Sequence, residues 1–190
     1  MHNPNKFIIT LFLVGFITAQ DYRHTKIQAI PDLSFMKIVY TGLDVLEQMD
    51  FSQLKGKTIS ILCNQASVNR NGQHLLTLLR EAEDVHVLAI FLPQYGLFAS
   101  EDPKLKMMGN KSIDPIFGAR VIDLFDRVLY PPEWSMRDAD LILIDMQDTG
   151  VRYTTFMATV SKVLESAAKY RKPVLLLDRP NPLRGDVMDG

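Results

Sequence analysis

Continuous apolar runs, separated by segments with helical spacing, set the pattern of this chain. Thr58 to Cys63 (TISILC), Val85 to Leu92 (VHVLAIFL), Ala139 to Asp145 (ADLILID) and Val174 to Asp178 (VLLLD) are apolar almost throughout, although His86 interrupts the second near its start. Runs of this length predict strands buried on both faces of a sheet. Ala119 to Leu124 predicts a shorter strand. Between the runs, Leu75, Leu78, Leu79 and Ala82 recur at spacings of three and four, as do Phe156, Val160, Val163, Leu164 and Ala167. Each set predicts a helix with one apolar face. A short helix is expected from Gly42, with Leu43, Val45 and Leu46 inward, and a helical turn from Pro131-Pro132 through Trp134. Strands and helices that alternate in this way predict an α/β fold: a Rossmann-like layered parallel sheet with helices on both faces.

Two loops stand out against this pattern. Residues 64–72 (NQASVNRNG) form a polar loop after the first strand, and residues 93–115 form a long one after the second. A loop of the second kind is usually functional or disordered. The folded pattern covers residues 42–190, preceded by a flexible lead-in over residues 20–41. The chain closes on a turn-rich segment, DRPNPLRGDVMDG, an abrupt place to finish a domain, so a fragment is expected.

The N-terminus differs in kind. Lys6 precedes an apolar stretch from Phe7 to Ala19, and polar sequence resumes at Gln20. A basic start, a short apolar run and a small residue at its end predict a secretory signal over residues 1–19. The run is shorter than the roughly 20 residues a membrane span needs. An uncleaved anchor is the alternative, because Ile17 is larger than the usual cleavage pattern wants. The expectation is an exported protein, periplasmic or extracellular, with no stable membrane association after cleavage. Charge is nearly balanced, with 21 basic and 22 acidic residues and no basic run, so nucleic acid is not an expected partner. Cys63 is the only cysteine and sits in an apolar run, which predicts a buried, inert thiol. The four histidines show no paired ligand spacing, and no metal or cofactor is expected.

Ligands of open parallel sheets bind outside the carboxyl ends of the strands. Here those ends carry Asn64-Gln65, Gln94-Tyr95, Asp145 to Thr154, and Asp178 to Asn181. There is no G-x-G-x-x-G after the first strand, no phosphate-binding G-x-x-x-x-G-K-[ST] and no G-x-S-x-G elbow. The carboxylates and amides around Asp145, Gln147, Asp148 and Arg152 suit a sugar, which offers many hydroxyls and little charge. A purely structural account is also open: Asp148 or Thr149 caps the next helix, and Asp145 pairs with Arg152 or Arg179. Asp178-Arg179-Pro180-Asn181-Pro182 forms a rigid turn in either case.

The order Gly42-Leu43-Asp44-Val45-Leu46, Asn64-Gln65, Asp145-x-Gln147-Asp148-x-Gly150-x-Arg152-Tyr153-Thr154 and Asp178-Arg179-Pro180-Asn181-Pro182-x-x-Gly185 resembles the exo-β-N-acetylmuramidases of the NamZ type, also catalogued as DUF1343. The resemblance implies a Rossmann-like N-terminal domain followed by a second domain that helps form the cleft, so the chain is expected to be truncated before that second domain. It also implies release of N-acetylmuramic acid from the non-reducing ends of peptidoglycan fragments, with a peptidoglycan-derived sugar as partner. On this reading Asp145, Asp148 and Glu101 are the catalytic candidates. Asn64, Gln65, Gln147, Arg152, Tyr153, Asp178 and Asn181 would hold the sugar. One departure matters: family members typically read Gly-Pro-Glu-His-Gly after the second strand, with the glutamate as the favoured catalytic carboxyl. This chain has Leu92-Pro93-Gln94-Tyr95-Gly96. An amide cannot serve as a proton donor or acceptor in catalysis, and losing such a group costs about 10²- to 10⁴-fold in rate. The alternative is therefore a catalytically inactive sugar-binding relative.

Overall fold

A computed structural model of the chain describes residues 39–97, 113–114, 117–125 and 128–183. The signal reading, nearly all of the lead-in, Glu101 and Gly185 lie outside the described residues. The chain divides into Met1–Tyr40 and a compact unit, Thr41–Gly190, and the elements below belong to the second.

The apolar runs become the strands β1 (Lys57–Cys63), β2 (Val85–Leu92), β3 (Arg120–Asp123), β4 (Leu141–Asp145) and β5 (Val174–Leu176). They form one sheet in the order β3-β2-β1-β4-β5, and every pairing is parallel. The helices are α1 (Gly42–Gln48), α2 (Leu75–Glu81), α3 (Glu133–Arg137) and α4 (Phe156–Lys169). None of them is long and apolar enough to cross a membrane.

Two apolar cores sandwich the sheet, because successive strand residues point to opposite faces. Ile59, Ile61 and Cys63 face Leu43 and Leu46 of α1 and the leucines of α2. Leu62, Ile142 and Ile144 face Met136 of α3 and Phe156, Val160, Val163 and Ala167 of α4. The register between β1 and β2 slips at Ile59/Ser60, where Ile59 pairs with Val87 and Ser60 with Ala89. This bulge passes over Leu88, so Val87 and Ile90 share one core while Ala89 and Phe91 share the other.

Three details depart from the sequence pattern. Val45 is 44% exposed and Leu164 41% exposed, although both were expected on apolar faces. The buried stripes are narrower, Leu43 with Leu46 and Phe156-Val160-Val163-Ala167, because each helix meets the sheet along one line of contact. β5 stops at Leu176 and not at Asp178. The Leu177 N–H still donates to the Ile144 carbonyl at 2.8 Å, but the Asp178 carbonyl accepts from the Gly42 N–H at 2.7 Å. The chain thus leaves the sheet to meet the start of α1. A Cβ on Gly42 would lie 2.6 Å from Leu177 Cα, so only glycine allows this approach.

Cys63 is fully buried at the end of β1. Burial pushes its thiol far above the ordinary range, and the nearby Asp145 charge adds to this. The native protein should therefore leave Cys63 unmodified by an aromatic disulfide reagent at pH 8, with full reaction in denaturant; rapid native labelling would show an open path to the sulfur.

Candidate functional site

The sheet order reverses between β1 and β4, so the loops that follow these strands depart in opposite directions and leave a crevice at their carboxyl ends. The residues at its base are occupied with one another. Asn64 Nδ2 donates to the Gln147 carbonyl at 3.0 Å, and Asn64 Oδ1 accepts from the Ala66 N–H at 3.1 Å. Ser67 Oγ accepts from the Asn64 N–H at 3.0 Å and donates to the Asp145 carbonyl at 2.6 Å. Asn64, Ser67 and Asp145 are all fully buried. Asn64 and Asp145 therefore lie beneath the rim, where they join the end of β1 to the end of β4.

Arg179 closes this base. Its Nε and Nη2 donate to the two Asp145 carboxylate oxygens at 2.5 and 2.8 Å, and both Nη groups reach the Val68 carbonyl at 3.1 Å. The pair is nearly sealed, with side-chain exposures of 5% for Arg179 and 0% for Asp145. Of the two pairings open to Asp145 in the sequence, the fold selects Arg179. Burial pushes the Asp145 carboxyl upward, and the guanidinium opposes it by charge and by hydrogen bonding. The contact is bidentate, the geometry in which a guanidinium fits a carboxylate best.

Further ties pin the polar loop after β1. Thr41 and Asp44 form a capping box at the start of α1. The Asp44 carboxylate also accepts the Arg70 N–H at 2.8 Å, and Asn69 Nδ2 donates to Glu47 at 2.9 Å. His74 Nδ1 accepts the Leu76 N–H at 3.2 Å as the cap of α2, while Nε2 lies 2.9 Å from the Asn64 carbonyl. That arrangement places the ring proton on Nε2. Sequence reasoning missed Ser67, His74 and the Thr41–Asp44 box as members of the site; the T-x-x-D spacing before an apolar run was the available signal for the last.

Above this base, the loops after β4 and β5 meet. Gln147 Nε2 donates to the carbonyls of Asp148 at 2.9 Å and Pro180 at 3.2 Å. The Asp148 carboxylate accepts from the Gly150 N–H at 3.1 Å and the Thr154 hydroxyl at 3.3 Å. Asp148 thus shapes its own loop, and the cap residue of α4 is Thr155, so neither Asp148 nor Thr149 caps that helix. Gly150 has φ +77°, and a Cβ there would run into Asn181 Oδ1. Gln147, Asp148, Asp178 and Asn181 line a cleft of about 210 Å³ whose apolar wall includes Met146, Met157, Val160 and Leu176. Gln65, Arg152 and Tyr153 are exposed outside that lining, Tyr153 at 87%. At the end of β2, Gln94 Oε1 accepts from the Thr155 hydroxyl at 2.8 Å. Tyr95 beside it is exposed, with φ +70°. Among the described residues no three His, Cys, Asp or Glu side chains cluster as metal ligands would.

The family model for the N-terminal part of the exo-β-N-acetylmuramidase NamZ matches residues 59–190. The chain belongs to this family. Its relatives include the peptidoglycan β-N-acetylmuramidase NamZ of Bacillus subtilis (strain 168), 30% identical over 188 residues that make up 97% of this chain and 43% of that protein. Two crystal structures of DUF1343 family proteins from Bacteroides fragilis NCTC 9343 share the fold. One has a TM-score of 0.68 at 28% identity over 80% of this chain and 37% of its own. The other has a TM-score of 0.58 at 32% identity over 75% of this chain and 35% of its own. The chain thus spans less than half the length of each of these relatives.

The Asp145–Arg179 pair gives a direct test of the base of the site. Arg179→Met should destabilise the protein by about 3–5 kcal/mol, because it leaves a buried carboxylate uncompensated. Arg179→Met with Asp145→Leu should recover much of that loss in urea unfolding followed by circular dichroism. Equal destabilisation by the single and the double variant would count against a charge-pair role.

Proposed function

We propose that this chain forms part of an exported glycosidase that acts on peptidoglycan-derived sugars and releases N-acetylmuramic acid from their non-reducing ends. The observation that carries this reading is the cleft between the β4 and β5 loops in a chain of the NamZ family. Its two amides and two carboxylates stand beside an apolar wall. A pyranose has hydroxyls at its edge and an apolar face, and such a lining complements both. The Bacillus subtilis relative is a peptidoglycan β-N-acetylmuramidase, which points to the bond.

In the reaction, the bond between C1 of the muramic sugar and the glycosidic oxygen breaks. That oxygen takes up a proton, and a water oxygen ends on C1. Asp148 sits on the cleft wall, its carboxylate already oriented by Gly150 and Thr154. Glu101, in the loop after β2, is the second carboxyl assigned to proton transfer. Asp145 acts from beneath by holding Arg179 and with it the loop after β5. Gln147, Asp178 and Asn181 orient the sugar. Gln65, Arg152 and Tyr153 lie outside the cleft lining and would contact the extended glycan or its peptide.

A second reading has its own observation. Gln94 occupies the segment after β2, and its amide is engaged with Thr155. A site with an amide at that position binds the sugar without cleaving it.

Release of N-acetylmuramic acid from a chromogenic muramic acid glycoside separates the two, with the complete protein run beside its Gln94→Glu, Tyr95→His variant. Activity in the natural protein is the expected outcome of the glycosidase reading, and Asp148→Asn should then lower the rate by about 10²-fold or more. Activity confined to the variant would establish the binding-only reading. Silence in both would remove the hydrolytic proposal.

A further inference from the structure

Two amides of the cleft lining have their orientation fixed by the loops around them. Gln147 Nε2 donates to the Asp148 and Pro180 carbonyls, which accept only, so the nitrogen of that amide is held on those two oxygens. Asn181 Oδ1 accepts the Leu183 N–H at 2.9 Å and lies where a Cβ on Gly150 would run into it. Pro180 immediately precedes Asn181, so the bond from Gln147 brings the two amides side by side.

Each amide is left with one unspent end. Gln147 Oε1 is an acceptor and Asn181 Nδ2 a donor, and neither has a partner among the described residues. No buried side-chain nitrogen or oxygen among those residues lacks a partner, so Gln147 Oε1 is open to solvent, as the exposed Asn181 is. The wall beside them is apolar. Met157 and Leu176 are 54% and 56% exposed there, next to the buried Met146 and Val160.

An acceptor, a donor and an apolar surface on one lining complement a secondary amide that ends in a methyl group. N-acetylmuramic acid has two methyl-bearing substituents, an acetamido group and a lactyl ether, and the second carries a carboxylate. The lining already holds the carboxylates of Asp148 and Asp178, while the Arg179 guanidinium is taken up by Asp145 and the Val68 carbonyl. Like charges in one cleft disfavour the lactyl acid. We infer that the cleft is the subsite for the 2-acetamido group of the sugar. Its N–H donates to Gln147 Oε1, its carbonyl accepts from Asn181 Nδ2, and its methyl packs on Met157 and Leu176. The assignment rests on the sugar-site reading above and makes Asn181 a specificity-determining residue.

Titration of the full chain with the methyl glycosides of N-acetylglucosamine, N-formylglucosamine, glucose and N-acetylmuramic acid tests this, read by calorimetry and by the Asn181 side-chain amide signals in ¹H–¹⁵N spectra. N-acetylglucosamine, which has no lactyl group, should shift the Asn181 signals as N-acetylmuramic acid does. The formyl sugar keeps the amide without the methyl and should bind about fourfold more weakly. Glucose should bind at least about tenfold more weakly. Asn181→Asp retains the oxygen that accepts the Leu183 N–H and removes the donor. It should weaken N-acetylglucosamine binding by about tenfold with an unchanged melting curve. Parental affinity in Asn181→Asp, or glucose or the formyl sugar binding as tightly as N-acetylglucosamine, would overturn this inference and leave the sugar site standing. A response confined to N-acetylmuramic acid would give the cleft to the lactyl group, with the same consequence. A parent protein that binds none of the four would overturn the site and this inference together.

Discussion

Asp145 and Arg179 stand at the ends of adjacent strands, and the loops of the rim are tied to one or the other. The carboxylate takes two N–H groups of the guanidinium, whose remaining reach goes to Val68 in the loop after β1. The Asp145 carbonyl takes the Ser67 hydroxyl of that same loop. One charge pair therefore locks the exits of β1, β4 and β5. Such a pair adds little net stability, since desolvating both charges offsets most of their attraction. Its contribution is geometric, because a bidentate contact tolerates one relative placement of the two strand ends and penalises others.

The cleft depends on that lock. Its polar lining comes from the loops after β4 and β5, which have no regular structure of their own to hold them. Gln147 bridges the two loops through the Pro180 carbonyl, and the contact of Gly150 with Asn181 fixes their separation. Beneath them the sheet is rigid for a simpler reason, since both of its faces are packed with apolar side chains. The site is thus a polar layer resting on an apolar one, joined by the buried groups at the strand ends.

That layering divides the polar residues of the rim into two kinds. Asn64, Ser67 and Asp145 have their hydrogen bonds satisfied within the protein and serve as braces. Asp178 and Asn181 line the cleft and are exposed. The distinction matters for chemistry: a carboxylate sealed beneath the rim shapes a site, whereas one on the cleft wall can meet a ligand.

The apolar runs and their spacing were enough to read the strands, the alternation of helices and the parallel sheet, because those features follow from burial periodicity within short windows. The sequence also placed Asn64, Gln94, Asp145 and Asp178 at strand ends, and with the quoted motifs it pointed to the family. It did not determine which of these residues would be braces. That depended on partners 34 residues away for Asp145 and Arg179, and 83 residues away for Asn64 and Gln147. The need for glycine at position 42 came from the later approach of Leu177 and Asp178. The sequence offered Asp148 or Thr149 as the cap of α4, whereas the fold puts Thr155 there and brings Gln94 to its hydroxyl. Local periodicity is written in neighbouring residues; hydrogen-bond satisfaction between distant loops exists only once the strands have been ordered in the sheet.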